Sequence, residues 1–136
     1  MNTEQSAKKW MEFLVARPEF PAPQSLLTAW NSGAITRLCD CSEHCQSFSF
    51  HVSDGNRVVP LWTAGGSGGA VFTIDFRITT LESEPADRTL ELVVFVDERG
   101  HFDGIDVMCS CNTLPVPEQF VVHEPPIRVS GALRDA

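Results

Sequence analysis

The chain has 136 residues, enough for one domain, and its 43% apolar and 21% charged content is that of a globular protein. A domain of this length buries about two-thirds of its unfolded surface, so it builds a core without disulfides or metal. The formal net charge of −8 excludes nucleic acid as a partner, because phosphate binding needs clustered Lys and Arg, and here Lys8-Lys9 is the sole basic pair. An acidic chain suits water, or a basic protein partner.

The N-terminal MNTEQSAKKWMEFLVARPEF lacks the form of a signal peptide. The apolar stretch after Lys8-Lys9 is short and broken by Glu12 and Arg17. No run reaches the length of a membrane span, so a cytoplasmic location is expected. Thiols stay reduced there, and five cysteines are then read as metal-binding, reactive or buried.

Residues 4–16 predict a helix, with Ala7, Trp10, Met11 and Leu14 on one stripe and Asn2 or Thr3 as cap. Pro18, Pro21 and Pro23 impose a break. Residues 24–32 predict a second helix carrying Leu26, Leu27 and Trp30, stopped at Gly33. From Ile35 the period turns to alternation. Phe48, Phe50 and Val52 of FSFHV point one way, and Ser47, Ser49 and His51 the other. Asp54-Gly55 signals a turn, and RVVPLW predicts a return strand with Pro60 at its edge or end. GGSGG at 65–69 reads as a loop without phosphate-binding context.

Residues 70–80 give the clearest strand, with Phe72, Ile74, Phe76 and Ile78 inward. ESEPAD is a polar loop. Residues 89–97 are apolar on both faces, as in a central strand. DERGH turns the chain into a partner strand over Phe102–Cys111. Residues 112–136, with Pro115, Pro117, Pro125 and Pro126, predict an extended tail on the surface, loosening from Ser130. The sum is an α+β domain: helices in 1–34, and an antiparallel sheet of about five strands in 35–111.

LCDCSEHCQSFSF and VFVDERGHFDGIDV…LPVPE carry a resemblance. The chain resembles a family of small, uncharacterised bacterial proteins with a Cys-Asp-Cys-Gly-Cys segment before a strand. In that family a later hairpin holds an apolar-x-Gly-apolar-acidic-apolar strand, followed by Leu-Pro-x-Pro-Glu. Matching residues are Cys39, Asp40, Cys41 and Cys45; Gly100, Phe102, Gly104, Ile105, Asp106 and Val107; and Leu114, Pro115, Pro117 and Glu118. The resemblance covers roughly residues 37–118 and implies a fold and a bacterial origin, with no activity attached. Ser42-Glu43-His44 replaces the family's single glycine and adds a histidine.

Two cysteine clusters dominate the chemistry. Cys39, Cys41, Cys45 and His44 lie in one, and Cys109 and Cys111 in the other. Zinc takes four such donors in a tetrahedron, so these six residues are the candidate ligands. Cys-x-Cys suits a metal-binding turn less well than Cys-x-x-Cys. Cysteine is also among the most buried residues, and Cys109 and Cys111 share the parity of Ile105 and Val107 as core extensions would. A cysteine nucleophile would need His44, His51 or His101 as base, and no local signature supports one.

The acidic stretch Glu82, Glu84, Asp87, Glu91, Asp97, Glu98, Asp103 and Asp106 reads as a solvated hairpin or as a patch for a basic surface. Trp62, beside the glycine-rich loop, anchors a partner if it is exposed. The leading functional reading is a non-enzymatic binding or interaction protein. A zinc-binding protein and a thiol-dependent enzyme or redox protein are the alternatives.

Overall fold

The computed structural model describes residues 2–42, 44–53, 58, 60–62, 68–81, 87–110 and 114–131. Two helices open the chain: α1 over Glu4–Val15 and α2 over Pro23–Asn31. Thr3 starts α1 with a capping box. Its hydroxyl accepts from the Ser6 backbone N–H at 3.1 Å, and the Ser6 hydroxyl accepts from the Thr3 N–H at 3.1 Å. Ala7, Trp10, Met11 and Leu14 form its buried stripe, as the spacing predicts. α2 has no side-chain cap and starts on Pro23, which fits a first turn because no N–H is needed there.

Six strands follow among the described residues: β1 (Gly33–Leu38), β2 (Phe48–Val52), β3 (Gly69–Thr80), β4 (Asp87–Val96), β5 (Phe102–Cys109) and β6 (Phe120–Gly131). They form one antiparallel sheet in the order β1-β2-β5-β4-β3-β6. The α+β class with an antiparallel sheet holds, but the count is six rather than about five. Three differences make up the change: β1, which the alternation from Ile35 did not set apart as a strand, is gained, RVVPLW is lost and β6 is gained. RVVPLW forms no strand at its described residues: Val58 and Leu61 are buried in the core, and Trp62 packs half-buried against it. The 112–136 region, read as a surface tail, instead supplies β6. That strand tolerates Pro125 and Pro126 because it is an edge, where a missing N–H faces no neighbour. Its register on β3 also shifts between Asp75 and Arg77, opposite the prolines. Asp54-Gly55 and most of GGSGG and ESEPAD lie outside the described residues.

The helices sit on one sheet face. Phe72, Ile74, Phe76 and Ile78 of β3 are buried there with Leu90, Leu92, Val94 and Val96 of β4 and with Ile105 and Val107 of β5. Aromatic pairs pin each helix down. The Trp10 and Phe120 rings stack with centroids 5.9 Å apart; Phe13 meets Phe76 at 5.8 Å; Trp30 stacks on Phe50 at 5.1 Å. Fully burying each such side chain contributes about 1.5–3 kcal/mol.

The opposite face carries the acids. Asp75 and Glu91 are direct cross-strand partners, a repulsive pairing that Arg128 of β6 bridges at 3.1 Å and 2.9 Å. Asp97 is tied to Arg99 at 2.9 Å within the β4–β5 turn. Glu82 and Glu84 lie outside the described residues. Asp106 differs from the others: burial alone pushes its carboxyl above the usual Asp range. A carboxyl raised on folding binds its proton more tightly in the folded chain. Its favourable term is therefore complete below the unfolded pKa and is lost as pH rises through the folded one. Asp106→Asn should raise the denaturation midpoint at neutral pH, and the gain should vanish near pH 3, below the ordinary Asp pKa of about 3.9. A urea titration at both pH values checks this; an equal gain at both would rule out the charge as its cause.

Candidate metal centre

β1 and β2 form a hairpin whose last strand pair is Leu38 with Phe48. One more rung follows, where the Cys39 N–H donates to the Ser47 carbonyl at 3.0 Å. Residues 40–42 and 44–46 lie beyond that rung. The chain doubles back inside the loop: the Cys45 N–H reaches the Ser42 carbonyl at 3.4 Å, and the His44 N–H reaches the Ser42 hydroxyl at 3.3 Å.

Three residues of the body, Asn2, Trp10 and Val107, hold the loop and its flank. The Asn2 side-chain amide donates to the Cys39 carbonyl at 3.1 Å and to the Ser47 carbonyl at 2.7 Å, so one residue before α1 staples both ends. The Trp10 indole N–H donates to the Gln46 side chain at 2.6 Å. The Ser47 hydroxyl accepts from the Val107 N–H of β5 at 2.9 Å. Sequence reading saw Asn2 as a helix cap and gave Gln46 no role. No local pattern announces contacts between residues this far apart in the chain.

The result is a sulfur triangle. The Sγ atoms of Cys39, Cys41 and Cys45 all lie within 4.8 Å of one another, and all three cysteines are free. Cys45 is only 7% exposed, Cys39 is half-buried and Cys41 is exposed. Thiolates bound to one ion at about 2.3 Å stand roughly 3.8–4.0 Å apart, so side-chain rotation within the loop closes the difference. The cluster can hold a metal ion, which is compatible with zinc.

The thiols share their protons unevenly. The Cys41 backbone N–H, the Cys45 and Cys41 thiols and nearby Arg37 hold the Cys39 thiol below its ordinary range, against a smaller opposing effect of burial. Cys41 is pushed up to about 11, because its thiol donates toward Cys39 and Cys45 and would ionise beside them. One thiolate is thus favoured and further ionisation is opposed, unless a cation compensates it.

The other candidate ligands lie elsewhere. Cys109 is fully buried at the end of β5, in line with Ile105 and Val107, and burial pushes its thiol up beside Arg88 and Ser110. It does not join the triangle, so among the described residues the two cysteine clusters remain separate. His44 is exposed and is not one of the clustered donors. Cys111 lies outside the described residues. Asp40, between two of the cysteines, is exposed and faces Arg37 at 3.7 Å. No helix among the described residues is long and apolar enough to cross a membrane. No family model, curated protein or solved structure matches the chain.

Proposed function

We propose that the protein binds a soft metal ion, zinc or a close chemical relative, through the thiolates of Cys39, Cys41 and Cys45. The observation that carries this reading is three free sulfurs within 4.8 Å on a loop anchored at both ends. Buried core cysteines do not require such a meeting, since each can bury its sulfur against apolar neighbours. Cys41 weakens the core explanation further, because it is exposed.

Elemental analysis of the purified chain after dialysis, with a thiol count, tests the proposal. About one ion per chain is expected, with the clustered thiols protected until the chain is unfolded. Cys41→Ser should lose the ion while keeping its far-ultraviolet circular dichroism, because the side chain packs against no core. A wild-type chain that takes up no soft metal on reconstitution under reducing conditions would end the proposal.

A second reading, an interaction module for a basic protein partner, rests on the acidic sheet face. There Glu91, Asp103 and Asp106 all have carboxyls raised chiefly by burial, and a cationic partner would relieve that cost. Binding that weakens steeply with salt and fails in Asp103→Asn/Asp106→Asn would support it.

A further inference from the structure

We infer that the sulfur triangle is a three-coordinate site selective for a monovalent thiophilic ion, copper(I), over tetrahedral zinc. The inference rests on the metal-binding reading above and goes on to name the ion. Its starting point is the number of donors. Three sulfurs converge, and among the described residues no fourth cysteine, histidine or carboxylate joins them. Structural zinc is four-coordinate almost without exception; with three protein ligands it must complete its shell with water or substrate. Copper(I) is softer, has a filled d shell and is satisfied in the plane of three thiolates. Thiolate-rich sites with few hard donors select it.

Among the described residues, Asp40 and His44 are the candidate donors nearest the triangle in the chain. Asp40 is an exposed oxygen donor facing Arg37, and it would in any case be a hard ligand for a soft ion. His44 sits inside the same loop, yet its ring is outside the donor set.

The loop is also built to hold its shape before an ion arrives. Asn2 fixes the carbonyls of Cys39 and Ser47, and Trp10 fixes Gln46 next to Cys45. A three-donor site gains from this, because each sulfur supplies a large share of the binding and none is held by a fourth.

The test uses the full chain under anaerobic, reducing conditions. Copper(I) and zinc are each titrated against a chromophoric chelator, and X-ray absorption counts the donors around the bound ion. The expected result is one copper(I) with a shell of three sulfurs, displacing zinc at equal concentration. Cys41→Ser should weaken copper(I) by more than the roughly 10–100-fold that losing an outer-shell partner costs. Zinc that resists equimolar copper(I), or a shell with a fourth protein donor, would overturn the three-coordinate assignment and leave the metal site standing. A Cys41→Ser variant with wild-type copper(I) affinity would overturn the assignment too. A chain that binds neither ion would remove both the assignment and the reading beneath it.

Discussion

Gly104→Val should detach the first hairpin from the sheet. β2 meets β5 at only two register pairs, Phe48 with Ile105 and Ser49 with Gly104. Gly104 has φ of +141°, and a Cβ there would collide with the Phe48 carbonyl oxygen and stand 3.0 Å from the Ser49 Cα. Both obstacles are backbone, so no rotamer change relieves them. Backbone strain of about 1–3 kcal/mol adds to overpacking of about 1–3 kcal/mol. The sum of roughly 2–6 kcal/mol is a large part of the 5–15 kcal/mol that typically holds a domain together. Because β1, β2 and the cysteine loop lie beyond this junction, metal affinity should fall with stability. Gly69→Val is the control: φ is +124°, but nothing lies within 4 Å of the new Cβ, so only strain remains. Urea denaturation and a metal titration on both variants would show it. Equal losses in the two would put the whole effect in the backbone angle and none in the close approach.

Trp10→Ala should cost about 3–5 kcal/mol, the range for truncating a buried tryptophan. Trp10 is fully buried, stacks on Phe120 and meets Phe13 edge-on at 5.7 Å. Its indole N–H also holds Gln46. Trp10→Phe separates these roles. It keeps most of the apolar area and gives up the hydrogen bond, a net loss of about 1 kcal/mol. In that variant the cysteine loop should loosen more than the core, so metal should dissociate faster while the urea midpoint falls far less than in Trp10→Ala. A Trp10→Phe variant with unchanged metal release would show that the bond to Gln46 does not restrain the loop.

Much of this fold is legible in the residues. The α1 stripe, the Thr3 cap and the alternation of β3 are local signals, and local geometry obeys them. The parity that puts Cys109 with Ile105 and Val107 is likewise local, and Cys109 is buried. β6 was hidden by Pro125 and Pro126, which mark an edge strand and a tail alike; only the partner β3 decides between them. RVVPLW misled in the opposite way. Its apolar residues enter the core without a ladder, since burial and strand pairing are separate requirements. For the site, spacing showed that Cys39, Cys41 and Cys45 lie on one short segment. Their convergence depends on a turn at Ser42 and on the Asn2 staple, and the staple comes from 37 and 45 residues away. The close approach of the Phe48 carbonyl gives the reason a glycine stands at 104.

The stacking of Trp10 on Phe120 ties the first helix to the last strand, and this has a bearing on synthesis. At about 5–20 residues per second, roughly 5–20 s pass between the polymerisation of the two rings. Until Phe120 is made α1 lacks this stacking partner, and once β3 is made the edge that β6 will cover stays open to other chains until β6 follows. The newborn chain is therefore most exposed to wrong partners at this edge between the synthesis of β3 and that of β6.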